Sequence, residues 1–435
     1  MARKTTRIPL NVYLNGRLVG RLRRQSSGAI EFLYDKSWLD WENAFPVSLS
    51  LPLREDRYAG DAVIAVFDNL LPDNDDIRRR VAARTQADGT DPYSLLAAIG
   101  RDCVGALHFL PDGDDPGKAG EVKARPVSDE DIAVTLSNLQ TAPLGIGEDK
   151  EFRISIAGVQ DKTALLQWNG QWHVPQGTTA TTHILKPQIG RRDNYDLTRS
   201  VENEHMCLEI LGAADLPVAK TEIADFAGTR ALVVERFDRR WSKDGRRLLR
   251  VPQEDCCQAL SVPPTRKYQS DGGPGMLDIL AFLKSSDDPT YDQFAFMKGQ
   301  IAFWLLGAID GHAKNFSVFI YPGGGFQLTP IYDVMSAQHL YDRRQIQRRN
   351  MKLAMSVGDN RHYHIHEIQP RHFRQTAEGA GLPDGLVDMA LEQVAEALPE
   401  AIELVCASLP ADFPADIRDS VANGALQRVK LIAPA

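Results

Sequence analysis

The sequence predicts an α/β (α+β) fold in two lobes, a smaller strand-rich lobe followed by a larger and mainly helical one. Three observations carry this. Strand and turn signals crowd the first thirty-odd residues, around Asn15-Gly16. Short β-branched runs return between about Glu151 and Phe237. From Phe294 onward the apolar residues recur at helical spacing, ending in the stripe Leu386, Val387, Ala390, Leu391, Val394, Leu398.

Taken in order, Leu10 to Leu14 reads as a strand, and Arg17 to Leu22 returns as its partner. Asn15-Gly16 joins them because a type I′ turn needs positive φ at both central positions. Gly28 to Tyr34 alternates as a third strand; Ala62 to Leu71 and Asp75 to Arg84 read as helices, the Arg78-Arg79-Arg80 run being a solvated helix face. Leu110 to Gly120 is dense in turn formers and reads as an exposed loop. Ser128, with Asp131 three residues on, caps a short helix reaching Leu139. The main boundary falls in the loop Pro143 to Asp149, giving an N-terminal α/β domain over residues 1–145 and a core over 146–435. A chain of 435 residues exceeds what one core holds. In the second part Phe152 to Ile156, Thr163 to Trp168, His183 to Lys186 and Ala231 to Phe237 read as strands, while Val201 to Leu211 and Phe294 to Ile309 read as helices.

Composition narrows the function. The formal charge is −8, which argues against a protein that coats nucleic acid. The five Cys have irregular spacing and no C-x-x-C pair, so they read as inert thiols in a reducing compartment. His362, His364 and His366 would share one strand face, but no familiar zinc spacing is completed. The basic start MARKTTRIPL has no apolar core for a signal peptide, and the longest apolar run, Ile301 to Ile309, is far short of the roughly 20 residues that span a bilayer. The expectation is a soluble cytoplasmic protein without a membrane partner.

The chemistry concentrates late in the chain. An apolar helix runs into Asp310-Gly-His-Ala-Lys-Asn315, the D-x₄-N spacing of a phosphoryl-transfer loop. The Asp can orient an acceptor hydroxyl and take its proton, and the Asn can offer an amide oxygen to Mg²⁺, a cation that prefers hard oxygen ligands. A hairpin follows, Phe316 to Tyr321 and Phe326 to Leu328 about Pro322-Gly-Gly-Gly325, and then a second carboxylate, Asp333. Upstream, Lys186 ends a strand from which it can reach phosphates. Ala157 to Lys162 forms a loop between two strands whose N–H groups can cradle them. The order of parts is that of a two-lobed, protein-kinase-like fold. Taken singly, each signal has a plain alternative: an Asp-Gly turn, an Asn cap, a surface lysine. A small-molecule kinase and a non-catalytic corepressor are the rival readings, and the first is told apart by whether label enters protein or a metabolite.

At these residues the sequence resembles the HipA family of bacterial toxin kinases. The matching segments are Phe152 to Leu166 (with SIAGVQDK), Thr182 to Lys186, Val234 to Trp241, Pro252 to Asp255, Tyr268 to Gly275, Asp310 to Ser317 (DGHAKNFS), Tyr332-Asp333 and Pro370 to Phe373. Phe67 to Pro72 and Gly100 to Leu107 extend the resemblance into the first lobe. It implies a serine/threonine-protein kinase that uses ATP and Mg²⁺ and forms the toxin half of a toxin–antitoxin module. Its implied partner is a HipB-like helix-turn-helix antitoxin, through which operator DNA is mainly reached. The implied substrate is a translation factor, glutamyl-tRNA synthetase being the recognised type. By the same resemblance Asp310 is catalytic, and Asn315 and Asp333 hold the metal. Lys186 and the loop Ala157, Gly158, Val159, Gln160, Asp161, Lys162 hold the nucleotide. So do Glu235, Arg236 and Phe237, which edge the adenine, and His312, Ala313, Lys314 and Tyr332 nearby, with Gln253 a weaker candidate. Ser155 is the implied autophosphorylation site, where a phosphate would repel ATP from the neighbouring loop. The sequence lacks G-x-G-x-x-G and H-R-D, and Tyr332-Asp333-Val334 stands where ordinary protein kinases have D-F-G. Glu202 and Glu204 are both candidates to pair with Lys186. Arg371, His372 and Arg374 cluster, but Glu378 nearby makes direct DNA contact by this chain doubtful.

Overall fold

The computed structural model describes residues 8–146, 152–192 and 194–432. The basic first seven residues, the boundary loop beyond Ile146 and the expected start of the second part at Glu151 lie outside them. The Asn15-Gly16 turn forms as expected, with φ of 46° and 79°, and joins β1 (Leu10–Leu14) to β2 (Arg17–Arg24). With β3 (Ile30–Tyr34), β4 (Tyr58–Ala59) and β5 (Leu107–Pro111) they make an antiparallel sheet in the order β4-β3-β2-β1-β5. Helices Asp61–Asp68, Asp75–Thr85 and Pro92–Ile99 accompany it over a core that includes Trp38, Phe32, Phe67 and Phe109.

The second sheet begins before residue 145. β6 (Ala124–Pro126) pairs with β8 (Gln171–Pro175), which pairs with β7 (Thr163–Trp168). The helix Asp129–Ser137, entered through a reciprocal Ser128–Asp131 capping box, packs its Ile132 and Leu136 in one cluster with Leu165, Leu185 and Val233 of this sheet. β9 (His183–Pro187) continues it. The chain then makes the small ribbon β10 (Gly190–Arg192) and β11 (Tyr195–Leu197). It crosses through the helix Ser200–Ala213 and returns as β12 (Thr221–Phe226) and β13 (Thr229–Glu235), completing the order β12-β13-β9-β7-β8-β6. A second ribbon, β14 (Arg239–Trp241) with β15 (Leu248–Arg250), leads to β16 (Gln253–Asp255), which joins β17 (Ser317–Ile320) and β18 (Phe326–Leu328) in the sheet carrying the expected hairpin.

One expected strand does not form. Phe152 to Ile156 lies in no sheet. Its alternating apolar side chains, Phe152, Ile154 and Ile156, insert into the core of the first domain, and the Ser155 N–H is taken by the Asp102 carbonyl at 2.9 Å. These side chains are buried by insertion into that core, not by ladder pairing.

The helical lobe is centred on Pro289–Leu306, capped by Asp288 and ended by Gly307 in the left-handed region. This helix is apolar nearly all round because neighbours cover it on every side. Among the described residues no helix is long and apolar enough to cross a membrane. All five Cys are free thiols and four are buried. His362, His364 and His366 do not converge; His362 stacks on His372 at 3.8 Å, and no group of metal-ligating side chains of three or more is present among the described residues. Of the basic cluster near the end, His372 is buried and Arg374 is paired with Asp388.

Candidate active site

The cleft between the second sheet and the helical lobe collects most of the predicted residues. Gly307 stops the long helix with φ of 69°, and the chain turns through Asp310-Gly311. A Cβ on Gly311 would sit 2.7 Å from the Phe303 ring, so only glycine lets this loop lie on the helix. The single helical turn Ala313–Asn315 follows, and then β17. The hairpin brings the chain back to Asp333, a non-glycine residue at φ 60°, a conformation that costs energy and recurs at functional sites. The turn is fixed on one side by the Ile331 N–H to the Pro217 carbonyl at 2.8 Å. On the other, the Tyr332 hydroxyl donates to the Lys314 carbonyl at 2.7 Å.

Lys186 lies between two carboxylates, Glu204 at 2.7 Å and Asp333 at 2.8 Å. This settles which glutamate pairs with it. Glu202, two residues away and so on another helix face, holds Gln188 and Arg230 instead. Burial opposes the charge of Lys186, but the two carboxylates outweigh it and raise its pKa above the ordinary lysine value. Burial likewise opposes ionisation of Asp333, yet Lys186 and Lys162 hold its carboxyl well below the usual range. Lys162 is lowered to about 8, by burial and then by Lys186 beside it; among the described residues its ammonium has one hydrogen-bond acceptor, the Ala157 carbonyl at 2.8 Å. An incoming anion would complete its shell.

Asn315 donates its amide nitrogen to the backbone carbonyls of Asp310 (2.9 Å) and Asp333 (3.4 Å). Its oxygen is thereby left as an acceptor in the cleft. With the Asp333 carboxylate it forms a two-oxygen set suited to a hard divalent cation that draws its other ligands from phosphate and water. Asp310 stands at the mouth and accepts the Tyr268 hydroxyl at 2.6 Å on Oδ1. The protein around its carboxyl raises its pKa above the ordinary aspartate value, with the Tyr268 bond acting in the opposite sense. His312, in edge-to-face contact with Tyr268, is pushed down to about 3 by burial and then by Lys267, and is neutral.

An apolar slot lies deeper, between Ile184, Val234 and Phe237. The Phe237 ring packs on Phe319 and Tyr332 at 5.8 and 5.9 Å. Glu235 and Gln253 also line the cleft. Arg236 borders it, but its guanidinium turns away into a buried network with Asp238 and Asp102. In the loop, Ala157, Gly158, Val159 and Lys162 face the cleft. Gly158 has φ of 110°, which favours glycine. Gln160 and Asp161 point elsewhere, to the Pro187 carbonyl and to Arg80. Ala313 is fully buried and supports the loop from behind. Ser155 is 0% exposed, and its hydroxyl donates to the Leu70 carbonyl at 2.7 Å.

Sequence reasoning missed Asp73, Lys267 and Asp255, all of which line the same cleft. Asp73 comes from the first domain, and no local pattern marks it.

Comparisons with known proteins identify the family. The family description HipA-like C-terminal domain matches residues 154–402, and HipA N-terminal domain matches 10–110. The chain belongs to the HipA toxin family. Y4mE of Sinorhizobium fredii is 36% identical over 401 residues, covering 89% of this chain and 91% of that protein. The serine/threonine-protein kinase toxin HipA of Shewanella oneidensis is 28% identical over 400 residues, covering 89% and 87%. In a solved complex of the toxin–antitoxin system of that organism, HipA with HipB and its operator DNA, the matching chain superposes with a TM-score of 0.80 at 26% identity, covering 97% and 96%. The two-lobed HipA kinase-like fold is thereby shown for this chain.

Proposed function

We propose that this HipA-family chain is an ATP- and Mg²⁺-dependent serine/threonine-protein kinase. The observation that carries the reading is Lys186 clamped between Glu204 and Asp333, with Asp310 and Asn315 on the adjoining loop. In this reading Lys186, Lys162 and the backbone of Ala157 to Lys162 hold the phosphates, and Val234, Glu235 and Phe237 line the base. Asn315 and Asp333 would hold Mg²⁺, which when bound supplies positive charge to the β- and γ-phosphate oxygens. The acceptor oxygen bonds to the γ-phosphorus as the bond to ADP breaks, and Asp310 orients the acceptor hydroxyl and takes its proton. The transition state is loose, so the residues act by positioning and by charge.

The toxin role carries a partner with it. A helix-turn-helix antitoxin of the HipB kind is the proposed partner, with operator DNA reached mainly through it; support comes from the close superposition on a chain solved in such an assembly. The acceptor is proposed to be a protein, a translation factor such as glutamyl-tRNA synthetase. Ser155 is the proposed self-modification site. Its burial means that it receives phosphate only after Phe152 to Ile156 have left the first-domain core. A phosphate then blocks return, because the position is enclosed and apolar. As to the domains, the pairing of β6 with the second sheet favours a division in the exposed stretch between β5 and β6 over one near residue 145.

The test is to incubate the purified chain with Mg²⁺ and γ-labelled ATP, with and without a candidate translation factor, and to locate the label by mass spectrometry. The expected result is label on protein Ser or Thr, including Ser155 of the chain itself. Label in a metabolite only would replace this reading with small-molecule phosphorylation. Absence of label with intact nucleotide binding would favour the corepressor.

A further inference from the structure

Asp73 belongs to the first domain but ends inside the cleft of the second. It follows Pro72, which bridges to Gly158, and its N–H donates to the Gly158 carbonyl at 3.0 Å. Its carboxylate accepts from Lys314 at 2.6 Å and from Lys267 at 2.9 Å. The three side chains are 6%, 4% and 10% exposed. Lys314 is fixed further by the Asn69 carbonyl at 3.2 Å and immediately precedes Asn315. Lys267 immediately precedes Tyr268, whose hydroxyl holds Asp310, and the Lys267 carbonyl accepts from the Ala313 N–H at 3.3 Å. Through its backbone Asp73 therefore grips the phosphate loop. Through its side chain it grips both neighbours of the catalytic loop, the one leading to Asn315 and the one leading to Asp310.

We infer that Asp73 is a positioning residue for phosphoryl transfer, supplied by the first domain, which sets the catalytic loop against the phosphate loop without touching either substrate. This rests on the kinase reading above. Two buried lysines flanking one loop would repel each other and drift towards the cleft's other anions, Asp333 and Asp310. Asp73 holds both away from them. Its own carboxyl stays ionised: burial opposes the charge, but Lys314 and Lys267 bring its pKa down to about 2.

The side chain and the backbone bond can be separated. In Asp73→Asn the N–H to Gly158 is retained and the anion is lost. The expected result is a kcat for protein phosphorylation lower by about 10–100-fold, the scale of a misplacement near 1 Å. The Kd for a non-hydrolysable Mg-ATP analogue should stay within about 3-fold of wild type. If Asp73→Asn does not fold, the neutral combination Asp73→Asn, Lys267→Met, Lys314→Met removes the unpaired charges. A low kcat with near-normal nucleotide Kd in that variant supports positioning as well. Wild-type kcat in Asp73→Asn, or its recovery in the neutral combination, would overturn the inference and leave Asp73 a counterion only. A parallel loss of kcat and nucleotide binding would overturn it too, since that marks general collapse of the cleft. A wild-type chain that labels no acceptor defeats the kinase reading itself, and this inference with it.

Discussion

Asp310→Asn is expected to bind Mg-ATP with an affinity near that of the wild type and to transfer phosphate to protein about 10²–10⁴-fold more slowly, the range over which a positioned base acts. The amide oxygen of Asn can still accept the Tyr268 hydroxyl that now reaches Oδ1 at 2.6 Å. The loop therefore keeps its anchor and loses only the charge and the proton acceptor. Asp310 is exposed at the cleft mouth, so the substitution buries nothing new, and the melting temperature should move by no more than a few degrees. Surrounding protein raises the pKa of its carboxyl above the ordinary aspartate value. A raised acid is protonated over a wider acidic range, so the wild-type rate should climb with pH as Asp310 deprotonates, and this limb should vanish in the variant. Rates within a few fold of wild type would remove Asp310 from the mechanism.

Asp102→Ala is expected to have the largest effect on stability. The side chain of Asp102 is 2% exposed and accepts from Arg239 at 2.8 Å, Arg250 at 3.0 Å and Thr181 at 2.8 and 3.0 Å, with Arg236 at 3.4 Å. Within this cluster Asp238 is the second carboxylate; it pairs with Arg236 and Arg239. Without Asp102, Arg236 and Arg239 would share Asp238, and the buried Arg250 would keep only the Arg101 and Thr178 carbonyls among the described residues. Removing one partner of a buried pair costs about 3–5 kcal/mol, a large part of the roughly 5–15 kcal/mol that holds a domain together. The urea midpoint should fall sharply, and an unchanged midpoint would show that water or backbone carbonyls already serve these arginines. Asp102 is drawn well below the ordinary carboxylate range; burial opposes this, and Arg239, Arg250 and Arg236 prevail. Its contribution is thus complete above about pH 4, where the unfolded side chain is ionised too, and is lost only in stronger acid.

How much could be read beforehand depended on whether a feature was local. Asn15-Gly16, the Ser128–Asp131 cap and the loop–hairpin–Asp333 order are written in consecutive residues, and each forms where the sequence places it. Lys186 was legible as a strand-end lysine, but its partner was not. Glu202 and Glu204 lie on one helix, and only the packing of that helix decides which carboxylate faces the cleft. Phe152 to Ile156 has the alternation of a strand, and the same alternation serves a segment threaded between domains. Asp73 was invisible because its meaning comes from Lys267 and Lys314, some two hundred residues away in the chain. Arg236 falls in a matching segment, yet that segment places its backbone at the cleft edge and its charge in the interdomain network.

The burial of Phe152, Ile154 and Ile156 in the first domain has a consequence in time. They are 5%, 1% and 3% exposed, and withdrawing such side chains costs about 1.5–3 kcal/mol each, or roughly 5–9 kcal/mol together. The phosphate loop can therefore detach only when this edge of the first domain melts, in fewer than about one molecule in a thousand at any instant. Hydrogen exchange at the Ser155 amide, now bonded to Asp102, should report that opening directly. The local stability of the first domain thus sets how often the segment carrying Ser155 leaves its enclosed position.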